Sequence, residues 1–179
     1  SFYARMFAIT GGYHRYFAHR TYRTSRAFQF ALAALACSAT QKGPLWWAGN
    51  HRHHHAHADG PEDLHSPVHG LYHAHVGWIL SSENDETDWA RIKDFAKYPE
   101  LVWLNKHYIL PVVALGAVLA LLGGFWALNW GLFVSTVLLW HGTFTINSLA
   151  HLIGRRRYAT TDQEISGPVT IAETSAVLR

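Results

Sequence analysis

Cysteine is almost absent from this sequence, which contains only Cys37. A single cysteine excludes a disulfide within the chain and any metal site built from several thiolates. Histidine, in contrast, occurs 14 times. Because a neutral imidazole is the commonest protein ligand for transition metals, a metal site in this chain would be built from histidine.

Charged residues are missing from one long stretch. The 48 residues from His107 to Gly154 contain no Asp, Glu, Lys or Arg. A membrane-spanning helix needs about 20 apolar residues, so this stretch fits two spans and a turn near Asn129. A buried hairpin in a soluble protein is the alternative. We expect an all-α integral membrane protein, with spans at about 1–13, 108–127 and 131–152.

Basic residues flank this uncharged stretch on both sides, at Lys97 and Lys106 before it and at residues 155–157 after it. The positive-inside rule then places both ends of the hairpin in the cytoplasm. The histidine clusters lie on the same side, which predicts a cytoplasmic His-rich helical cap. The membrane would be the bacterial inner membrane, or the endoplasmic reticulum in a eukaryote. Basic residues form no long stripe with interleaved aromatic residues, so no nucleic-acid partner is expected.

Five of the eight residues in the segment 50–57 are histidine. On a helix, His51, His54 and His55 are i, i+3 and i+4 and share one face, whereas His53 points elsewhere. A solvated His-rich loop is the alternative. It is less favoured because the segment is internal and follows two tryptophans. The pattern is typical of a metal-binding helix face.

A second pair, His14 and His19, is separated by four residues. On an ideal α-helix residues i and i+5 lie about 140° apart, so this pair would share one ion only if the helix is distorted. Otherwise it could serve two neighbouring ions. Asn147 and His151 are i and i+4 at the cytoplasmic end of the last span, where polar groups are costly unless functional. His141 lies deeper, and we interpret it as a packing or hydrogen-bonded histidine.

Two of the three acidic residues in the polar loop after the histidine cluster are Asp59 and Asp63; the third is Glu62. Carboxylates commonly accept a hydrogen bond from the ring of a metal-binding histidine, so either aspartate could orient such a ring. An ordinary solvated loop charge is the alternative. Trp46 and Trp47, just before the cluster, could line an apolar tunnel or lie at the level of the lipid headgroups.

Six short motifs follow one another along the chain. They are G-x-H-R-x-x-x-H-R at 12–20, Q-x-G-P-x-W-W at 41–47, H-R-x-H-H at 51–55, D-x-H-S-P at 63–67, H-V-G-W at 75–78 and N-S-L-A-H at 147–151. In this order and spacing, with the hairpin, they resemble membrane-bound fatty-acid desaturases of the acyl-CoA or acyl-lipid delta-9 type. The resemblance covers one domain, residues 1–162.

The resemblance implies an O2-dependent desaturase that inserts a cis double bond, of the delta-9 type, into a saturated fatty acyl-CoA or acyl-lipid. It implies two iron ions and a separate electron donor of the ferredoxin, rubredoxin or cytochrome b5 type. Carried over by motif, the implied iron ligands are His14, His19, His51, His54, His55 and His151, with Asn147 acting through a water. The implied substrate-binding residues are Gln41, Trp46 and Trp47. No catalytic residue beyond the ligands is implied, and the choice of iron over zinc rests on the resemblance alone.

Histidine is absent from residues 163–179, whereas the resemblance leads us to expect a third histidine box, G-x-x-H-N-x-H-H. We expect this segment to be a divergent, disordered tail. The chain also opens at Ser1 inside an apolar stretch, so we expect it to begin within a longer protein. We therefore predict a desaturase parent, and weak iron binding and no activity for this chain alone.

Two other functions stay open. Another His-box di-iron membrane hydroxylase would carry the same histidines but give an alcohol in place of an alkene. A His-rich membrane protein that binds or transports zinc or nickel would need a path of polar ligands through its spans. His141 and His151 are the histidines of the last span, and the middle of the preceding one has none.

Overall fold

The structure, a computed structural model, describes residues 1–58 and 60–149. Throughout these two ranges the regular elements are helices, and no strand occurs in them. The predicted all-α class is therefore confirmed for this part of the chain. The α-helices are α1 (Phe2–Phe7), α2 (Arg26–Cys37), α3 (Pro44–His57), α4 (Trp78–Leu80), α5 (Lys93–Ala96), α6 (Pro99–Lys106), α7 (Leu110–Leu128) and α8 (Ser135–Ser148). Wider π-helical segments are Ala8–Ala18, His73–Gly77 and Asn129–Val134, and short 3₁₀ turns are Pro67–His69 and Ser82–Asn84.

The chain forms two compact units. The first comprises Ser1–Arg52 and Thr87–Trp140, and the second comprises His53–Glu86 and the described residues from His141 onward. The hydrophobic core of the first unit is contributed by α1 with its π-helical continuation and by α2, α3, α5, α6 and α8. Large side chains buried there include Tyr13, Phe17, Leu45, Ile92, Leu101 and Leu139.

Helix α2 is a short amphipathic helix. Its first turn is capped by Ser25, whose hydroxyl accepts a hydrogen bond from the Phe28 backbone N–H at 3.3 Å. Its buried positions follow the three- and four-residue spacing of one helical face. They are Gln29, Leu32, Ala33, Ala36 and Cys37.

The start of α3 is capped by a residue 60 positions away in sequence. Oδ1 of Asn105, on α6, accepts hydrogen bonds from the backbone N–H groups of Leu45 at 3.0 Å and Trp46 at 2.9 Å. Pro44 opens the helix and has no N–H to satisfy. A Cβ added at Gly43 would lie 2.3 Å from that same Oδ1, so the absence of a side chain at Gly43 makes room for the cap.

The long apolar segment reverses direction within α7, at Gly123 and Gly124. Gly124 has φ 59° and ψ −153°, a conformation that is open to glycine and strained for other residues. The turn therefore comes earlier than Asn129, where the sequence led us to expect it. Asn129 instead opens the π-helical segment Asn129–Val134, because an asparagine can continue a helix whereas the Gly124 geometry cannot.

On either side of this turn the two arms pack against each other. A Cβ at Gly116 would lie 3.2 Å from a Leu132 methyl, and a Cβ at Gly131 would lie 3.1 Å from Leu119. Small residues at such positions allow two helices to approach closely.

Leu110–Ser148, 39 residues in all, is the single segment of the described chain that is long and apolar enough to cross a membrane. Large apolar side chains on its surface are strongly exposed, as at Leu121 with 85% and Leu122 with 84%. A continuous exposed apolar surface of this kind is typical of contact with lipid or with another apolar surface.

Candidate metal centre

His14 and His19 meet at the end of the first helical segment. Their Nε2 atoms are 3.0 Å apart. The reason is the π-helical backbone of Ala8–Ala18, which ends with the His19 N–H donating to the His14 carbonyl five residues earlier. Bonds from i to i+5 widen the turn, so residues five apart lie much closer to one face than they do on an α-helix. The distortion that the H-x4-H spacing required for a shared ion is therefore present.

His51, on α3, completes a cluster of three imidazoles in the first unit. Its Nε2 lies 3.3 Å from the Nε2 of His19, and its ring centre lies 4.7 Å from that of His14. Two nitrogens bound at about 2.1 Å to one ion lie about 3.0 Å apart at a right angle and about 3.4 Å apart at the tetrahedral angle. The observed spacings fit nitrogen ligands of a shared ion, and imidazole ligands suit Fe, Zn, Cu and Ni alike.

Burial favours the neutral, ligand-competent form of His19. Burial of His19 lowers the pKa of its imidazole below the ordinary value, and the positive charge of Arg52 lowers it further. A neutral ring keeps a lone pair available for a metal at neutral pH.

Trp47 forms one wall of the cluster. Its indole stacks on the His51 ring, with centres 4.7 Å apart and planes 25° apart. Its Nε1 donates to Oε1 of Gln41 at 3.2 Å, which fixes the indole plane. Trp46, the preceding residue, is 3% exposed. That burial disfavours the alternative in which Trp46 lies at a lipid headgroup boundary.

Arg52 ties the two histidine-bearing helices together. Its guanidinium donates to the backbone carbonyls of Phe17 at 2.6 Å and Ala18 at 3.1 Å, at the end of the π-helical segment. It also forms a bidentate pair with Asp94, at 2.8 and 3.0 Å. Burial alone would raise the pKa of Asp94, but the hydrogen bonds and charge of Arg52, with a smaller effect from Arg20, bring this pKa below its usual value.

A second, fully buried group lies in the other unit. Oδ1 of Asp63 accepts from Nδ1 of His54 at 2.9 Å and from the backbone N–H of His65 at 3.3 Å. The ligand atoms of these three residues lie within 4.8 Å of one another. A carboxylate bonded to one ring nitrogen of a histidine fixes the orientation of that ring, so Asp63 orients His54.

The other histidines of α3 differ in their surroundings. His53 turns away, with Nε2 2.8 Å from the carbonyl oxygen of Glu62, as the helical spacing predicted. His57 lies near the same loop, 3.1 Å from the Glu62 carboxylate. His55 is exposed and is i+4 from His51, so both are on one face of α3.

The remaining predicted site residues are only partly within the described chain. Asn147 is half-buried in the last turn of α8, and Gln41 is buried. His151, Asp59 and the tail 163–179 lie outside the described residues. His141 is hydrogen-bonded through Nδ1 to Nε2 of His75 at 3.0 Å, which confirms the hydrogen-bonded interpretation, and its side chain is exposed.

Comparison with known proteins assigns the chain to a family. A family model described as fatty acid desaturase matches residues 1–174. The chain belongs to the fatty acid desaturase family. It is similar to the sn-1 stearoyl-lipid 9-desaturase of Anabaena variabilis, at 36% identity over 87% of this chain and 57% of that protein. It is also similar to the sn-2 palmitoyl-lipid 9-desaturase of Nostoc sp. (strain 36), at 33% identity over 84% of this chain and 55% of that protein.

The chain is also similar to a plant desaturase. The Delta-9 acyl-lipid desaturase 2 of Arabidopsis thaliana is 34% identical over 86% of this desaturase-family chain and 51% of that protein. The chain thus spans about half the length of the curated relatives it matches.

Sequence reasoning missed several residues that shape this desaturase-family site. Arg52 was visible only as the second letter of H-R-x-H-H, and Asn105 belongs to none of the motifs. Both act on backbone atoms far away in sequence, which no local pattern reveals. Asp63 was one of two acidic candidates, and its burial, at 2% exposure, separates it from an ordinary loop charge.

Proposed function

We propose that this chain carries most of the metal-binding histidines of a membrane-bound fatty acid desaturase that inserts a cis double bond, of the delta-9 type, into a saturated acyl chain. The observation that carries the proposal is the convergence of His14, His19 and His51, with Nε2 spacings of 3.0 and 3.3 Å. Desaturation removes two hydrogens from adjacent carbons while O2, two electrons and two protons yield two water molecules.

The proposed cofactor is a pair of iron ions. Two irons, when bound, supply the O2 activation that breaking an unactivated C–H bond requires, because an acid or a base cannot activate such a bond. His14, His19 and His51 would hold the metal from the first unit. The other proposed ligands are His54, His55 and His151, with Asn147 acting through a water.

The protein's own residues supply orientation. Asp63 orients the ring of His54 by accepting a hydrogen bond from its Nδ1. Trp47 holds the His51 ring by stacking, and Gln41 holds Trp47 by a hydrogen bond. We propose that Gln41, Trp46 and Trp47 also line the tunnel that presents one carbon pair of the acyl chain to the site and excludes water from it.

The proposed location is a membrane, with several spans and the histidine clusters facing the cytoplasm. Support comes from the exposed apolar segment Leu110–Ser148, its reversal at Gly123 and Gly124, and the basic residues that flank it.

The proposed substrate is a fatty acyl group esterified to a lipid or to coenzyme A. Relatives with names of both kinds match this chain, among them the acyl-lipid desaturase of Arabidopsis thaliana and an Acyl-CoA 5-desaturase of Anemone leveillei. The electrons would come from a separate donor of the ferredoxin, rubredoxin or cytochrome b5 type.

The test compares His51→Ala with His53→Ala in the protein extended by the third histidine box, G-x-x-H-N-x-H-H, and purified in detergent, because we expect this chain alone to bind iron weakly. Both changes remove one imidazole from the same helix, but only His51 belongs to the converging cluster. We expect His51→Ala to lose iron, measured by elemental analysis, and to lose conversion of a saturated acyl chain to an alkene. His53→Ala should keep both.

Three results would contradict the proposal. Equal iron content in the two variants would remove His51 from the ligands. Zinc or nickel in place of iron would favour a metal-handling protein. An alcohol as the product would indicate a hydroxylase.

A further inference from the structure

His75 lies in the π-helical segment His73–Gly77 and has no part in the function proposed above. Its Nδ1 is 2.9 Å from Oγ of Ser148, and its Nε2 is 3.0 Å from Nδ1 of His141. Its ring stacks on the His141 ring at 5.3 Å and meets the Phe144 ring edge-on at 5.8 Å. All of these residues belong to the second unit.

The three α8 residues that contact His75 lie on one face of that helix. His141, Phe144 and Ser148 are i, i+3 and i+7, so a single imidazole contacts two successive turns. A contact of this kind opposes rotation of the helix about its axis. It acts on the final turn, where backbone hydrogen bonds are incomplete and helices fray.

The hydrogen bonds that link Phe144, Ser148, His75 and His141 can all be assigned a donor and an acceptor. The Ser148 hydroxyl donates to the Phe144 carbonyl at 2.9 Å, so its oxygen accepts from the His75 Nδ1–H. The Nε2 atom of His75 is then an acceptor for the Nδ1–H of His141. Every donor then faces an acceptor. This arrangement assigns His75 to the neutral Nδ1–H tautomer.

Ser148 is fully buried and directly follows Asn147, which we proposed to act on the metal through a water. We infer that His75 is a positioning residue for the end of α8: by fixing Ser148 it sets the orientation of the neighbouring Asn147, the residue proposed to act on the metal. The inference rests on the proposed function, because it assumes a metal for Asn147 to serve.

The test measures iron retention rather than activity. In the protein extended by the third histidine box, loaded with iron and purified in detergent, His75→Phe keeps a stacked ring but removes both hydrogen bonds. Loss of a residue that orients a metal site typically costs about 10–100-fold in metal affinity, so we expect iron to pass to an excess of chelator at least about 10-fold faster. His75→Asn, whose amide N–H can occupy the place of Nδ1–H, should restore most of the retention.

Three further variants separate positioning from general stability. Ser148→Ala should release iron as fast as His75→Phe, and the double variant no faster, because one contact is lost in each case. His141→Phe should change iron release little, since it leaves the bond to Ser148 intact. Melting temperatures in detergent, measured beside the release rates, should not fall in proportion to the loss of iron.

The outcomes distinguish this inference from the proposed function. If the extended protein without substitutions takes up no iron, both the proposed function and the inference are overturned. If it holds iron, unchanged release from His75→Phe would overturn the inference alone. The inference would also be overturned if iron release became faster in every variant in proportion to the fall in melting temperature, and if His75→Asn did not restore iron retention.

Discussion

Asn105 caps the helix that carries the histidine cluster, and its replacement by alanine should destabilise the protein strongly. Its Oδ1 satisfies the N–H groups of Leu45 and Trp46, and its Nδ2 donates to Oγ1 of Thr87 at 3.0 Å. Because Asn105 is 8% exposed and Leu45 is fully buried, water reaches these groups poorly after the change.

The magnitude follows from the groups left without partners. A buried donor that loses its partner costs about 1–3 kcal/mol, and loss of an N-terminal cap costs about 0.5–2 kcal/mol. These two estimates describe partly the same bonds, so we expect a total of about 2–4 kcal/mol. For a chain of this size that loss corresponds to a fall in melting temperature of about 5–15 °C.

The assay is thermal unfolding in detergent, followed by circular dichroism. Asn105→Asp is the matched control: it keeps the Oδ1 acceptor and places a negative charge at a helix N-terminus, where such a charge is favourable. Its second oxygen can accept from the Thr87 hydroxyl in place of the lost N–H donor, so this variant should retain most of the stability. An alanine variant that melts within about 2 °C of the wild type, or an aspartate variant as unstable as the alanine one, would refute the capping role.

Three further predictions concern the rest of the fold. Arg52→Lys should destabilise by about 2–3 kcal/mol, because an ammonium cannot hold the Phe17 and Ala18 carbonyls and Asp94 together; an unchanged melting temperature would contradict this. Gly124→Ala should cost about 1–3 kcal/mol, because alanine is strained at the φ of Gly124, and an alanine variant as stable as the wild type in the same melt would show that the turn adapts. The Arg26 hydrogen bonds lower the pKa of Glu100 from 4.5 to about 2, so the stabilisation from this pair is complete above about pH 4.5 and is lost as the pH falls toward 2. The difference in melting temperature between wild type and Glu100→Gln should shrink over that range, and a constant difference would exclude the ion pair as its cause.

The helical class could be predicted from the sequence because its signals are local. The apolar stretch after His107, the Ser25 cap and the spacing on α2 each depend on residues within one or two turns. The shared face of His51 and His55 follows from helical spacing in the same way.

The packing of the helices against one another could not be predicted, because it depends on contacts between residues that are far apart in sequence. The cap from Asn105 to α3 crosses 60 positions, and the bonds from Arg52 to Phe17 and Ala18 cross 35 and 34 positions. Propensity and periodicity carry no information about such pairs. The turn at Gly124 rather than Asn129 is a different case: both residues favour turns, and only the backbone angles decide between them.

The distance between two histidines five residues apart depends on how wide the helical turn between them is. His14 and His19 can touch only while the turn between them is wider than that of an α-helix, so their separation reports which helix the backbone has adopted. An ion bound to both rings would therefore stabilise the wider, π-helical turn. If the segment became an α-helix, the two rings would move apart. Substitutions at residues 15–18 that favour the α-helix should therefore weaken any bridging ion without altering either ligand.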